Sequence, residues 1–261
     1  MHGISISSYS MTVLTKKMNE LGLQTLTFDF AGRGHSESPL VDYTSEFYVE
    51  QVYNLLNALK LNKPLDIVAL SMGGAVTVAF AEKYPELVKS VSFLAPAGVP
   101  FEMPLTGHFL RIPFVGKLLL QTPLGVMLQA RRIPKAFAQP TEFARDILDL
   151  TEEAFYHWQK EGFAHAFSST VTNFRHLRNA TSSYAALGAN RDRCVTFFWG
   201  EEDQTVPFPS IDYLHRVVPH ADVHLFKQAG HGLLYERVDI IAENIVRCTK
   251  LPSRGKFFQH P

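Results

Sequence analysis

The 261-residue chain is predicted to belong to the α/β class, with a mostly parallel sheet and helices on both faces. Short apolar runs rich in β-branched and aromatic residues, such as Cys194 to Trp199, indicate buried strands. Segments with helical periodicity follow these runs, as in Val238 to Cys248. Because strands and helices alternate over most of the chain, the strands are expected to run parallel.

The elements are predicted in a regular order along the chain, each from its own pattern. Apolar runs bounded by turn residues predict strands at 24–30, 65–70, 87–94, 194–199 and 221–226. Apolar residues at helical spacing, with capping residues at several starts, predict helices at 5–22, 44–61, 72–83, 142–150, 152–165, 211–218 and 238–248. Residues 181–187 are predicted to begin the part of the chain that re-enters the core after the insertion.

The alternation stops between Val99 and Leu177, where prolines are frequent and the patterns are helical. We therefore predict an α/β core formed by residues 1–98 and 178–250, a helical insertion at 99–177 and a terminal tail at 251–261. Within the insertion, residues 109–128 are the most apolar stretch. That stretch predicts packing on the core, or a lid that contacts a membrane or lines an acyl tunnel.

Composition excludes several classes of protein. Lysine plus arginine and aspartate plus glutamate both number 25, so no basic surplus points to nucleic acid. No signal peptide and no long uncharged apolar run is visible, which leads us to expect a cytoplasmic protein unless a targeting signal lies upstream. The two cysteines, Cys194 and Cys248, are expected to stay unpaired in a reducing compartment, with Cys194 buried as an apolar residue.

Ser71 stands in the most informative motif of the chain. It follows the apolar run at 67–70 and precedes Gly73, Gly74 and a helix-forming stretch. This strand–turn–helix pattern is typical of a nucleophile elbow, which presents a serine hydroxyl at the amino end of a helix. Free N–H groups and the helix dipole favour a developing negative charge there. Ala69 stands where glycine is commoner.

A serine nucleophile requires a base and an acid that orients the base. Asp203 follows the strand pattern at 194–199, in the run Gly-Glu-Glu-Asp. His231 lies between two glycines after the strand pattern at 221–226. These positions predict a Ser–His–Asp arrangement at one edge of the sheet, in the chain order Ser, Asp, His.

Four blocks together resemble the α/β-hydrolase fold family: Met1-His-Gly-Ile4, Asp29-Phe-Ala-Gly-Arg-Gly-His-Ser36, the Ser71 elbow and the Asp203/His231 pair. The resemblance spans residues 1 to about 248 and implies an insertion at 99–177 that forms a cap over the active site. It implies Ser71 as nucleophile, His231 as base and Asp203 as orienting acid.

The same resemblance implies the remaining site residues. Backbone N–H groups of Met72 and Ile4 would form the oxyanion hole, supported by the motif residues His2, Gly3, Gly73 and Gly74. No cofactor or metal is implied, and the partner is a small molecule. The elbow and the apolar cap resemble the lipase and esterase side of the family, so a carboxylic ester with an apolar acyl group is the first expectation. A carbon–carbon bond hydrolase or an amidase is the alternative within the fold, and a non-catalytic hydrolase-fold protein is the alternative of another class.

In the family, the His-Gly motif follows a central strand, whereas here only Met1 precedes His2. The strand that should end at His2 would lie between those at 24–30 and 65–70. We therefore expect the chain to lack its N-terminal strands, with a true start further upstream. The alternative is a divergent, inactive product.

Overall fold

A computed structural model of the chain describes residues 1–99, 118 and 122–250. In these ranges four parallel strands form one sheet, in the order β1-β2-β3-β4. The strands are Leu65–Leu70 (β1), Val88–Leu94 (β2), Cys194–Gly200 (β3) and Asp222–Phe226 (β4). Leu70 pairs with Leu94, and Leu94 pairs with Phe198, so the carboxyl ends of the strands meet at one edge.

Helices cover the sheet in two groups. The helices are α1 Thr12–Glu20, α2 Ser45–Ala58, α3 Met72–Lys83, α4 Pro123–Ala130, α5 Arg132–Lys135, α6 Ala144–Trp158, α7 Phe163–Asn173, α8 Arg175–Arg178, α9 Thr181–Ala189, α10 Ser210–Val217, α11 Leu233–Glu236 and α12 Val238–Lys250. In one group α2, α8 and α9 pack with α3, and in the other α1 and α11 pack with α12. The predicted α/β architecture is confirmed.

Local sequence explains where the helices around the sheet begin. The Thr44 hydroxyl accepts a hydrogen bond from the Phe47 N–H at 3.2 Å, and Glu46 lies in the first turn, so α2 begins with a capped and charge-compensated end. Helix α3 is buried from Met72 to Ala81, consistent with a mostly apolar helix packed between the sheet and its neighbours.

The inserted segment has a hydrophobic cluster of its own. Its buried members are Ile133, Phe137, Ile147, Leu150, Ala154, Trp158, Phe163, Ala164 and Phe167. Ile4 and Ile6 pack against this cluster, and Ile4 also packs against the main core, so the insertion rests on the N-terminal segment. Residues 109–117 and 119–121 of the apolar stretch lie outside the described residues, and membrane contact through the cap stays a prediction.

The strand predicted at residues 24–30 is wrong. This segment forms no ladder with any described strand, and residues 24–27 are exposed. A strand needs a neighbour to bond its backbone groups, and among the described residues it is Met1 that bonds the edge of β1 away from β2. The Met1 amino group donates to Val68 O at 2.7 Å, and Leu70 N donates to Met1 O at 2.9 Å.

The expectation that the two cysteines stay unpaired is also wrong. Cys194 and Cys248 form a disulfide with a Cα–Cα distance of 5.9 Å. The bond joins the start of β3 to the last helix, α12. Disulfides persist mainly in oxidising compartments, so the cysteines give no support to the cytoplasmic expectation. Among the helices of the described ranges, none has the length and apolar content needed to cross a bilayer.

Reducing the disulfide should destabilise the protein, because the bond closes a loop across a sequence separation of 54 residues. Cross-links of this kind contribute about 2–4 kcal/mol by restricting the unfolded chain. Thermal unfolding with and without dithiothreitol measures the effect, and the melting temperature should fall on reduction. The double variant Cys194→Ala/Cys248→Ala is the control, since the reductant should not change its melting temperature. Two titratable thiols in the unreduced, folded protein would contradict the pairing.

Candidate active site

Ser71 sits on a strained turn between β1 and α3. Its backbone has φ 52° and ψ −116°, a conformation that non-glycine residues adopt at a cost of about 1–3 kcal/mol. Hydrogen bonds on both sides hold it there: Ser71 N donates to Leu94 O at 3.0 Å, and Ser71 O accepts from Gly74 N and Ala97 N, each at 2.9 Å. The turn therefore fixes the serine at the carboxyl edge of the sheet.

The two glycines after Ser71 are required by close packing. A Cβ on Gly73 would lie 2.6 Å from Met1 O, and one on Gly74 would lie 2.4 Å from the Pro96 Cβ. Both distances are shorter than real Cβ contacts allow. The elbow can therefore approach the N-terminal segment and the end of β2 only with glycine at these positions.

Asp203 is the acid that faces His231. Its Oδ2 lies 2.7 Å from His231 Nδ1, and its side chain is fully buried. The other oxygen, Oδ1, accepts hydrogen bonds from Thr205 N at 2.7 Å and Val206 N at 2.9 Å. The carboxylate is therefore oriented by its own loop, which leaves Oδ2 for the imidazole.

Neighbouring acids are excluded from this role by exposure. Glu201 and Glu202 point to solvent, and neither bonds His231 among the described residues. The Trp199 indole N–H donates to Val206 O at 3.1 Å and closes the turn around Asp203. The structure thus brings Asp203 and His231 together, in the register that the sequence predicted.

His231 lies on a loop that the cap and the core hold from opposite sides. Gly230 N donates to Glu236 Oε2 at 2.8 Å, and Gly232 N donates to Ala136 O at 2.7 Å. Glu236 Oε1 accepts from Ala138 N of the insertion at 2.8 Å. Glu236 is therefore a buried acid that anchors the histidine loop and ties it to the segment inserted between β2 and β3.

Ser71 and His231 do not bond each other directly within the part of the chain that the structure describes. Both follow the carboxyl ends of parallel strands, and the Asp203 bond through Nδ1 leaves Nε2 of His231 for a proton acceptor role. Such contacts are often long without substrate and tighten when it binds. The structure thus offers a serine, an imidazole and a carboxylate at one edge of the sheet, which is the set of groups that acyl transfer uses.

The N-terminal segment lies beside the serine. A Cβ on Gly3 would be 3.5 Å from the Ser71 Cβ and 3.9 Å from Ser71 Oγ. Neither Met72 N nor Ile4 N takes part in the turn and loop hydrogen bonds of the described residues. Two backbone donors near a serine hydroxyl are what a developing oxyanion requires.

His2 is a buried support for this segment. Its Nε2 accepts a hydrogen bond from Phe30 N at 2.9 Å, so Nδ1 carries the proton and donates to Gly3 O at 2.8 Å. Burial penalises the charged imidazole and lowers the pKa of His2 to about 3. His2 is therefore neutral at physiological pH, and it fixes the position of Gly3.

Arg33 is a residue that the sequence analysis missed. Its guanidinium is buried, and Nε donates to Ile4 O at 2.6 Å while an Nη donates to Thr170 Oγ1 at 3.2 Å. The rings of Phe163 and Phe167 lie 5.7 Å from the guanidinium carbon. Arg33 therefore links the peptide at Ile4 to the cap helix α7, and no short motif would have revealed that contact.

Two further features lie apart from these residues. A cavity of about 450 Å³ is lined by Val99, Thr181, Pro207, Pro209, Ser210, Tyr213 and Arg216, none of which is a predicted site residue. Among the described residues, the side chains that could hold a metal ion are His35, Glu153 and His157.

Comparison with known proteins identifies the class. The family model for the alpha/beta hydrolase fold matches residues 1–238. The chain therefore belongs to the α/β-hydrolase fold family, and it is a hydrolase of that fold.

Individual relatives span most of the chain. Monoacylglycerol lipase ABHD6 of Mus musculus is 26% identical over 266 residues, covering 94% of this chain and 73% of its own length. A thermophilic esterase from Thermogutta terrifontis matches with TM-score 0.79 at 19% identity over 94% of this chain and 86% of its own. A variant of the meta-cleavage product hydrolase CumD from Pseudomonas fluorescens IP01 matches with TM-score 0.74 at 21% identity over 95% and 87%.

The depressed pKa of His2 predicts a pH-dependent stability. The unfolded histidine has a pKa near 6.5 and the folded one about 3, so the unfolded chain binds the proton first as the pH falls. The His2 contribution is therefore fully present above pH 6.5 and is lost progressively towards pH 3. Urea unfolding of the wild type and His2→Gln between pH 4.5 and 7.5 tests this. The wild type should lose up to about 1.4 kcal/mol more per pH unit than the variant, and parallel profiles would contradict it.

Proposed function

We propose that this protein is a serine hydrolase that cleaves carboxylic esters with an apolar acyl group. Ser71 is the nucleophile, His231 the general base and Asp203 the acid that orients the base. The observation that carries the proposal is the 2.7 Å hydrogen bond between His231 Nδ1 and Asp203 Oδ2, at the same sheet edge as a serine held at φ 52°.

The reaction proceeds in two acyl-transfer steps. His231 Nε2 takes the Ser71 proton as Oγ attacks the ester carbonyl, and the carbonyl electrons move to its oxygen. When the tetrahedral intermediate collapses, the carbon–oxygen bond to the alcohol breaks, and His231 returns the proton to the leaving alkoxide. Water then attacks the acyl-enzyme with His231 again as base, which releases the acid and restores Ser71. Asp203 stabilises the imidazolium formed in each step.

The oxyanion of each intermediate is held by the N–H groups of Met72 and Ile4. The proximity of Gly3 to the Ser71 side chain supports this assignment, as does the position of Met72 at the start of α3. Each such donor contributes roughly 3 kcal/mol to the transition state. His2 and Arg33 act as positioning residues, because they hold Gly3 O and Ile4 O.

One fold serves many chemistries, so the substrate class is argued from the insertion and from the relatives. Two observations favour an apolar ester. The insertion carries its own apolar cluster and contacts the histidine loop through Ala136 and Ala138. The relative that covers 94% of this chain at 26% identity is named a monoacylglycerol lipase. A cap of this composition suits an acyl chain better than a charged or peptide substrate.

Removal of any triad side chain should abolish ester turnover. Ser71→Ala and His231→Ala should each lower kcat by on the order of 10⁶, because the triad acts as a unit. Asp203→Asn should fold but lose about 10⁴, since the imidazole would no longer be held in the right tautomer. The matched control is Glu202→Gln, an exposed acid next to Asp203, which should keep wild-type kcat. Loss of activity in Glu202→Gln with activity retained in Asp203→Asn would refute the acid assignment.

Substrate preference is measured with a panel of p-nitrophenyl esters of increasing chain length and monoacylglycerols. A meta-cleavage dienoate and aminoacyl amides represent the competing reactions. We expect the highest kcat/KM on esters with apolar acyl chains. Higher kcat/KM on the dienoate than on every ester would instead identify a carbon–carbon bond hydrolase.

A further inference from the structure

His35, Glu153 and His157 form a cluster that the proposed reaction does not use. Each offers one ligand nitrogen or oxygen, and these three atoms lie within 4.8 Å of one another. Glu153 and His157 are four residues apart and therefore share one face of α6. His35 comes from the glycine-rich turn of the core, so the cluster spans the contact between the inserted segment and the core.

His157 shows that the cluster is incomplete as a hydrogen-bonding unit. The residue is 4% exposed, and its Nε2 lies 2.7 Å from Glu153 Oε1. Its Nδ1 is buried and has no hydrogen-bond partner among the described residues. A buried polar atom without a partner costs about 1–3 kcal/mol. His157 thus stands beside a carboxylate and a second imidazole, which together form a donor set for a metal ion.

The surroundings favour a cation. Glu153 also lines a cleft of about 280 Å³ together with Tyr9, Asp149 and Glu152, so three carboxylates face one opening. The Ser7 hydroxyl donates to Glu153 Oε1 at 3.0 Å, as an outer-shell group does for a liganding carboxylate. Two cations lie nearby and are already engaged: Arg145 pairs with Asp149 at 3.0 Å, and Lys160 Nζ donates a 2.9 Å hydrogen bond to Gly34 O.

We propose that His35, Glu153 and His157 bind a Zn²⁺ ion that fastens α6 to the glycine-rich turn. Two imidazoles and one carboxylate suit zinc, with water as the fourth ligand. Zinc–ligand bonds of about 2.1 Å place ligand atoms about 3.4 Å apart in a tetrahedral site. The cluster must therefore contract, and the exposed His35 on a loop can move to do so. Zinc takes the place of the proton between His157 Nε2 and Glu153, and the imidazole carries that proton on Nδ1 instead, so His157 ligates as a neutral imidazole.

The expected consequence is a more rigid cap. Trp158, the next residue on α6, donates its indole N–H to Ser5 O at 2.7 Å. An ion bound between α6 and the turn would add a second link between that helix and the core. Zinc should therefore raise the melting temperature of the protein without entering the ester reaction.

Binding is tested on chelator-treated full-length protein with Zn²⁺ by calorimetry and with Co²⁺ by visible absorption, which reports direct nitrogen and oxygen coordination. We expect one ion per chain and a rise in melting temperature with Zn²⁺. His35→Ala should weaken binding at least about 10-fold and remove the Co²⁺ spectrum, and Glu153→Gln should do the same. The test uses His35→Ala because His35 is exposed and its replacement should not disturb folding. His157 is buried, so loss of binding in His157→Gln is interpreted only if that variant folds.

Two control variants separate this site from other histidines. His224 forms a 2.9 Å pair with Asp222 on β4, so His224→Ala removes a comparable imidazole–carboxylate pair elsewhere. His231→Ala removes the imidazole of the proposed triad. Both should bind Zn²⁺ as the wild type does. The proposal is overturned if the wild type binds no Zn²⁺, if His35→Ala and Glu153→Gln bind it with unchanged affinity, or if His231→Ala abolishes binding.

Discussion

The turn at Ser71 is the constraint on which the rest of the site depends. A serine at φ 52° is unfavourable on its own, and it persists because its N–H and C=O are bonded to the ends of β2 and to α3. The strands are parallel, so the loops that carry Asp203 and His231 leave the sheet at the same edge. The sheet thus stabilises the strained backbone of Ser71. It also places Asp203 and His231 at the same edge as that serine.

The N-terminal segment links this turn to the cap. Met1 bonds the edge of β1 and closely approaches Gly73, while the Ile4 carbonyl accepts from Arg33. Trp158 of the cap bonds Ser5 O. Through Arg33, which also bonds Thr170, and through Trp158, the N-terminal segment beside the elbow is bonded to α7 and α6.

Local patterns predicted the parts of the fold that local interactions determine. Residues 72–83 were predicted as a helix and form α3, because the elbow, the apolar composition and the following proline are all encoded within a few residues. The Asp203 and His231 pairing was predicted from strand ends, since loops after parallel strands share an edge. The segment at 24–30 failed because a strand is defined by its neighbour and not by its own composition.

The features that sequence analysis missed all depend on distant partners. Cys194 and Cys248 meet only because α12 packs beside β3. Arg33 looked like an ordinary turn residue, and its role arises from a cap that lies over 120 residues away in sequence. The cluster at His157 is formed by Glu153 on the same helix and by His35 from another element, so no local spacing reveals it.

The central claim is that Ser71 is an activated nucleophile, and covalent labelling tests it most directly. The folded wild-type protein is treated with a fluorophosphonate, digested, and mapped by peptide mass spectrometry. We expect a single adduct on Ser71, formed fast in the wild type and at a rate reduced by orders of magnitude in His231→Ala, where the base is absent. A folded protein that takes up no label, or whose label lies on another serine, would contradict the account and indicate a non-catalytic member of the fold.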